Sequence, residues 1–416
     1  MLWRLRKLIE QEATIYRLVI TSRPLPAVEL AELRRPGVEE YDLRPFDRAD
    51  LNVFAQRWFT ARHPRDPDTA ERNTTLFLTR LAAAELGPVA RIPLLATIAA
   101  VIFEQADSQA LPTSRALLYE RFIDHLMDGR RELSSARGGL LPALEARGED
   151  GIEVAEWFNK HFYPIVGQLL DTVGAAPFDD PAANLTAVAM DWLDRNAPHP
   201  LTPLLPAARQ TVDDLLRATA LLVPHHGRLS FAHQSFAEFL AARATARNFN
   251  TAEWYALATN PAARSRAAFA AAQRPESDHL VRTLLDDRED AVAAGDLIAD
   301  GVPVDDGTRQ RVVTALVDQL LQDAPAAAEC LRVLRELSVD LDVLTRIAVL
   351  VNDTGTAPWV RTAGYPRLGG HRASRPRDPR RDHSRGTGRT RRMGRTTARP
   401  HRPDGARPPG RRSGRG

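Results

Sequence analysis

Arg17-Leu-Val-Ile-Thr-Ser-Arg-Pro24 reads as a buried parallel strand that delivers one arginine at its carboxyl end. Leu18, Val19 and Ile20 form an apolar, mostly β-branched run, the pattern of a strand covered on both faces. Thr21 and Ser22 end the run, Arg23 projects past it, and Pro24 with Pro26 stops continuation because proline has no N–H for a ladder. Ligands of open α/β sheets collect outside the carboxyl ends of the strands, so Arg23 is a candidate phosphate contact. The alternative is an arginine that only neutralises a nearby carboxylate.

Upstream, Leu2, Leu5, Leu8 and Ile9 fall on one helical face, so residues 2–13 read as an amphipathic crossover helix feeding the strand. Downstream, Val38-Glu-Glu-Tyr-Asp-Leu43 alternates weakly and is a second strand candidate. Two parallel strands do not close a core by themselves. From Asp47 onward the pattern turns helical, starting with Leu51, Phe54, Ala55, Trp58 and Phe59 at three- and four-residue spacing. Further helices are expected at 69–86, 91–105, 114–133, 153–173, 182–194, 207–220 and 234–246. Shorter ones follow at 251–259, 262–273, 277–286, 288–299, 307–322, 325–337 and 341–351, without a strict repeat period. Arg-Gly-Gly at 137–139 and Gly-Glu-Asp-Gly at 148–151 are loop signals. In Leu221-Leu-Val-Pro-His-His-Gly-Arg-Leu-Ser-Phe231, two short apolar runs flank His225-His226-Gly227, which predicts a small β-hairpin, the wing of a winged-helix domain. The fold class expected is mainly α, with a two-strand parallel α/β remnant at the amino end.

The 416 residues are 44% hydrophobic and 6% aromatic, enough for ordinary cores in two or three domains. A single cysteine, Cys330, excludes a disulfide framework and a cysteine zinc site. The longest apolar run, Ile92 to Phe103, is 12 residues, short of the roughly 20 that a membrane span needs. Met1-Leu-Trp-Arg-Leu-Arg-Lys-Leu-Ile9 mixes charge with apolar residues and offers no signal-peptide core. A soluble, cytoplasmic protein with no membrane partner is expected.

The net charge of +3 hides two unlike parts. Residues 361–416 hold 18 of the 56 basic residues and 3 of the 53 acidic ones, which leaves 38 basic against 50 acidic residues in 1–360. The basic, Gly- and Pro-rich end should be disordered. Its one aromatic residue, Tyr365, and its lack of aromatic–basic interleaving argue against nucleic-acid recognition. The abrupt change resembles out-of-frame reading of GC-rich DNA, and the arginine-for-lysine bias, with Lys7 and Lys160 the only lysines, agrees with such a genome. No Gly-x-Ser-x-Gly elbow, His-Glu-x-x-His helix or cysteine–histidine pairing suggests hydrolytic chemistry. Glu39-Glu40 and Asp179-Asp180 read as solvated faces or caps.

Three segments, in order, resemble the NACHT-domain family of STAND P-loop ATPases. Ile20-Thr-Ser-Arg-Pro24 is similar to that family's sensor-1 strand end, which would make Arg23 a reader of the terminal phosphate. Arg91-Ile-Pro-Leu-Leu-Ala-Thr-Ile followed by Leu111-Pro-Thr-Ser-Arg-Ala-Leu-Leu-Tyr-Glu120 resembles the junction of helical domain and winged helix, where Pro93 would line the adenine pocket. Leu229-Ser-Phe-Ala-His-Gln-Ser-Phe-Ala-Glu-Phe-Leu-Ala-Ala242 is similar to the winged-helix ending, where His233 would contact the β-phosphate of the diphosphate-bound off state. On the residues alone, Pro93 equally starts a helix, where its missing N–H costs little, and His233 equally caps or packs beside Phe231 and Phe236.

The resemblance implies residues 1–45 as a nucleotide-binding remnant, 46–110 as a helical domain, 111–247 as a winged helix and 248–360 as a helical, repeat-like region, followed by the tail 361–416. Intact relatives bind ATP or ADP with Mg²⁺. This chain contains no Gly-x-x-x-x-Gly-Lys-Ser/Thr loop and no acidic Walker B run. The resemblance therefore implies a truncated switch that binds no such cofactor and hydrolyses nothing on its own, working through protein partners or self-assembly. The alternatives are a non-enzymatic helical interaction module and, less well supported, nucleic-acid binding by winged helix and tail.

Overall fold

The computed structural model describes residues 45–84, 86, 87, 89–105, 110–128, 131–322, 326–337 and 349. The strand candidates at 17–24 and 38–43, Arg23, the helix expected at 2–13, all but residue 349 of the helix expected at 341–351, and the basic tail lie outside the described residues. What is described is mainly helical, with one small antiparallel sheet.

Helix α1 (Arg48–Arg62) starts in a capping box: the Asp47 carboxylate accepts the Asp50 N–H at 2.8 Å and the Asp50 carboxylate accepts the Asp47 N–H at 3.1 Å. Helix α2 (Pro67–Ala83) carries proline at its first turn, where a missing N–H costs nothing, behind an Asp66 cap. After a 3₁₀ turn at Val89–Arg91, α3 (Pro93–Gln105) follows. Phe59, Phe77 and Phe103, one from each helix, meet edge to face at 5.4–5.6 Å and close this part of the core.

Helix α4 (Arg115–Met127) begins at a Ser114 cap. Helix α5 (Arg131–Glu145) corrects the loop reading of 137–139, because Gly138 and Gly139 sit in its middle. Burial of Leu133, Leu140 and Leu144 on one stripe overrides the weak propensity of two glycines. Helix α6 (Glu149–Asp179) likewise extends into the 148–151 signal, which supplies only its start at Gly148 (φ 84°). It is bent at His161 (φ −126°, ψ 27°), one turn before Pro164, whose ring cannot tolerate a helical carbonyl four residues back.

Helices α7 (Leu185–Asn196), α8 (Leu201–Leu204) and α9 (Ala208–Ala218) lead to strands β1 (Leu222–His225) and β2 (Arg228–Phe231). The strands pair antiparallel, Leu222 opposite Phe231 and His225 opposite Arg228. His226 (φ 47°) and Gly227 (φ 75°) form a two-residue turn with both φ values positive, the geometry that matches strand twist. Helix α10 (Gln234–Arg247) then runs through the interior, with eight consecutive residues from Ser235 to Ala242 buried. It packs on α6 and on α12 (Arg264–Ala272), and α11 (Thr251–Thr259) lies beside α12. Gly174 of α6 permits that crossing, since a Cβ there would sit 2.5 Å from Leu240 Cβ.

Helices α13 (Ser277–Arg288), α14 (Ala291–Ala299), α15 (Asp306–Gln322) and α16 (Ala327–Leu337) follow among the described residues, with α14 against α12, α13, α15 and α16. Among the described residues no helix is long and apolar enough to cross a membrane.

Candidate functional site

His233 stands where β2 hands over to α10. The Ala232 N–H still donates across the hairpin to Leu221 O at 2.9 Å, and His233 itself remains extended (φ −148°, ψ 139°). Its imidazole does the work usually done by a serine or aspartate cap: Nδ1 accepts the Ser235 N–H at 3.2 Å. Ser235 Oγ lies 2.6 Å from the same nitrogen, and Tyr119 Oη lies 2.6 Å from Ser235 Oγ. His233 is exposed, whereas Ser235 (4% exposed) and Tyr119 (1%) are buried.

An Nδ1 that accepts a backbone N–H cannot itself carry a proton. The Ser235 hydroxyl therefore donates to Nδ1 and accepts from the Tyr119 O–H. Tyr119 is held for this by Phe236 (5.6 Å), Phe239 (5.6 Å) and Phe269 (5.1 Å), and burial pushes its phenol pKa up, so it stays a donor. A serine bonded to a histidine suggests a nucleophile, but this oxygen is buried and its lone pair is taken by Tyr119. The arrangement instead fixes the His233 ring through Nδ1 against the head of α10.

Pro93 is the first residue of α3, exposed, with its carbonyl accepting from Thr97 Oγ1 at 2.9 Å. Pro93 thus starts a helix, where its missing N–H costs little. Pro93 and His233 open different helices, and α4, which carries Tyr119, touches both α3 and α10. Arg23 lies outside the described residues.

Sequence reading missed three arginine–carboxylate clusters. Asp171, with a side chain 3% exposed, meets Arg243 Nε at 2.7 Å and Arg247 Nη1 at 2.6 Å beside a cleft of about 210 Å³ lined by Asp124, Asp128 and Tyr163. Asp296 is held by Arg264 and by Arg332, whose two terminal nitrogens each donate at 2.9 Å. Burial works against the Arg332 charge, but the bonds to Asp296 and Glu329 and the Glu336 charge hold its pKa above the ordinary value. Arg115 lies over the Phe269 ring at 4.4 Å and donates to Asp300. The available signal was a lone aspartate inside an apolar helical stripe, as in Val166-Gly-Gln-Leu-Leu-Asp171 and Ala293-Ala-Gly-Asp296-Leu-Ile. Comparison of the chain with family models, curated proteins and solved structures finds no match.

Proposed function

We propose that this chain acts as the lid portion of a NACHT-type nucleotide switch, a signalling and oligomerisation element with no ATP hydrolysis of its own. In this reading 46–110 is a helical domain, 111–247 a winged helix with the Leu222–Phe231 hairpin as its wing, and 248–360 a repeat-like partner-binding region. The observation that carries it is the imidazole at the head of α10: exposed, immobilised through Nδ1, and set in the segment that resembles the family's phosphate-contacting ending. Pro93 and Arg23 join it as nucleotide contacts by the same resemblance.

Removing the phosphate-loop amides, lysine and Mg²⁺ ligand deletes several charge-assisted hydrogen bonds worth about 1.5–3 kcal/mol each. One imidazole cannot replace them, so affinity for nucleotide should fall to the millimolar range. A second reading, a helical interaction module, is favoured by the ion-paired packing of α12, α14 and α16 around Asp296. The discriminating experiment titrates Mg·ATP and ADP into the purified chain, following heat and ¹⁵N-histidine spectra together. The expected result is no micromolar binding and a His233 response at millimolar ADP. Micromolar ATP affinity overturns the missing-cradle argument, and a silent His233 overturns the lid.

A further inference from the structure

We infer that the cleft between α4 and α6 binds a small zwitterion, an α-amino acid with an aliphatic side chain, whose ammonium meets Asp124 and Asp128 and whose carboxylate meets Arg243. The inference does not draw on the nucleotide-switch reading.

The two carboxylates stand where helix energetics disfavour them. Asp124 lies in the last turn of α4 and Asp128 closes it, its N–H donating to Asp124 O at 2.7 Å. That end carries the negative pole of the helix dipole, which repels carboxylates. Neither side chain makes a hydrogen bond or an ion pair among the described residues. Partial burial, and to a smaller degree the Asp128 charge, push the Asp124 carboxyl above its ordinary value against the pull of Arg243. An incoming ammonium supplies the counter-charge that the fold withholds.

Arg243 brings the opposite sign from α10, and this separates the cleft from an acidic patch. Its Nε donates to Asp171 Oδ1 at 2.7 Å and its Nη2 to Gly167 O at 3.3 Å, so the guanidinium is fixed, with a side chain 15% exposed. Nη1 has no acceptor among the described residues. Arg243 and Asp124 line one cleft without forming an ion pair among the described residues. A ligand with both charges on neighbouring groups bridges them, whereas a plain cation leaves the Nη1 donor idle and meets its charge. Ile123, Met127 and Leu170, all buried, add apolar lining for an aliphatic side chain. The volume of about 210 Å³ lies below the roughly 300 Å³ at which drug-sized pockets begin, and suits a molecule this small. Its walls come from α4, α6 and α10, so an occupant would tie three helices together.

The test titrates the full chain, by calorimetry at about pH 7, with three probes of one carbon skeleton: L-leucine, isoamylamine, which lacks the carboxylate, and 4-methylpentanoate, which lacks the ammonium. Leucine should bind about tenfold more tightly than either truncated probe, the worth of one charge-assisted bond at a partly exposed site. Asp124→Asn should weaken leucine about fivefold while leaving the urea midpoint unchanged or raised, because it removes a charge from the wrong end of α4. A Cβ added at Gly167 meets nothing within 4 Å, so Gly167→Leu should fold, fill the cleft and abolish binding. Arg243 itself stays in place, since its loss would strand the buried Asp171, and the comparison of leucine with isoamylamine reads its contribution. No saturable leucine binding overturns the inference. Isoamylamine binding as tightly as leucine removes Arg243 from the site and overturns the zwitterion. Leucine binding that survives both Asp124→Asn and Gly167→Leu lies elsewhere on the chain and overturns this cleft.

Discussion

Arg115 and Asp300 are 185 positions apart in the chain and meet at 2.7 Å, Nη1 of the arginine donating to Oδ1 of the aspartate. The arginine belongs to α4 and the aspartate closes α14, so one bond ties the Tyr119 helix to the last group of helices. The guanidinium also lies over Phe269 and reaches Ser265 Oγ at 3.4 Å, and its side chain is only 11% exposed.

Arg115→Met keeps the stem over Phe269 and deletes the charge-assisted bond. Because Arg115 is mostly buried, the loss should approach that of a charged hydrogen bond, about 1.5–3 kcal/mol, and exceed the 0–1 kcal/mol of an exposed pair. Urea unfolding measures it. A loss below about 0.5 kcal/mol would mean that Asp300, at 34% exposure, is served by water as well as by the arginine.

Acid stability should depend on two helix caps. Asp66 accepts the Thr69 N–H at 3.0 Å, and Asp305 accepts the Thr308 N–H. In both cases that backbone bond, more than any charge, holds the carboxyl pKa below the ordinary 3.8. A depressed folded value means stability that is complete above pH 3.8 and is lost as pH falls through the folded value. Asparagine caps almost as well and does not titrate. The double variant Asp66→Asn, Asp305→Asn should therefore match the unmodified chain at pH 6 and lose less stability between about pH 4 and pH 2, read from urea midpoints. Parallel curves in that window would contradict the assignment.

Much of the helical architecture was legible because its signals are local. The 251–259 stretch is bounded by Asn250, which caps through its side chain, and the His226-Gly227 turn is announced by residues that tolerate positive φ. Helix α5 was illegible for the complementary reason: Gly138, Gly139 and Pro142 are local breakers, while the burial that overrules them comes from α6 and α9. His233 could be singled out from its segment, but its relay could not. Tyr119 and Ser235, 116 positions apart, meet only once the chain between them has folded, and neither hydroxyl carries a motif. The same holds for Asp296, whose two arginines arrive from positions 264 and 332.

Asp296 offers a test of how buried charge is shared. Asp296→Ala leaves Arg264, which is 9% exposed, without its carboxylate, and an uncompensated buried charge costs about 3–5 kcal/mol. Arg332→Ala removes the outer partner, with a side chain 33% exposed, while Arg264 still neutralises Asp296, so about 1–2 kcal/mol is expected. The ordering matters more than either value. Equal losses in urea unfolding would mean that the three residues act as one inseparable unit.

Glycines in two helices should respond oppositely to the same methyl group. Gly138 and Gly139 lie inside α5 with nothing within 4 Å of an added Cβ, so alanine at either should stabilise by about 0.5–1 kcal/mol through helix propensity alone. Gly174 is also helical and should gain the same propensity. There, however, the new Cβ would lie 2.5 Å from Leu240 Cβ and 3.3 Å from the Ala241 nitrogen, atoms fixed to the α10 backbone. Relieving that overlap means separating α6 from α10, with overpacking costs of about 1–3 kcal/mol. Gly174→Ala should therefore be destabilising overall, and because His233 caps α10 and Ser235 lies in its first turn, the His233 signals should shift with it. A Gly174→Ala chain more stable than the unmodified one would show that α6 and α10 are not in the close contact described.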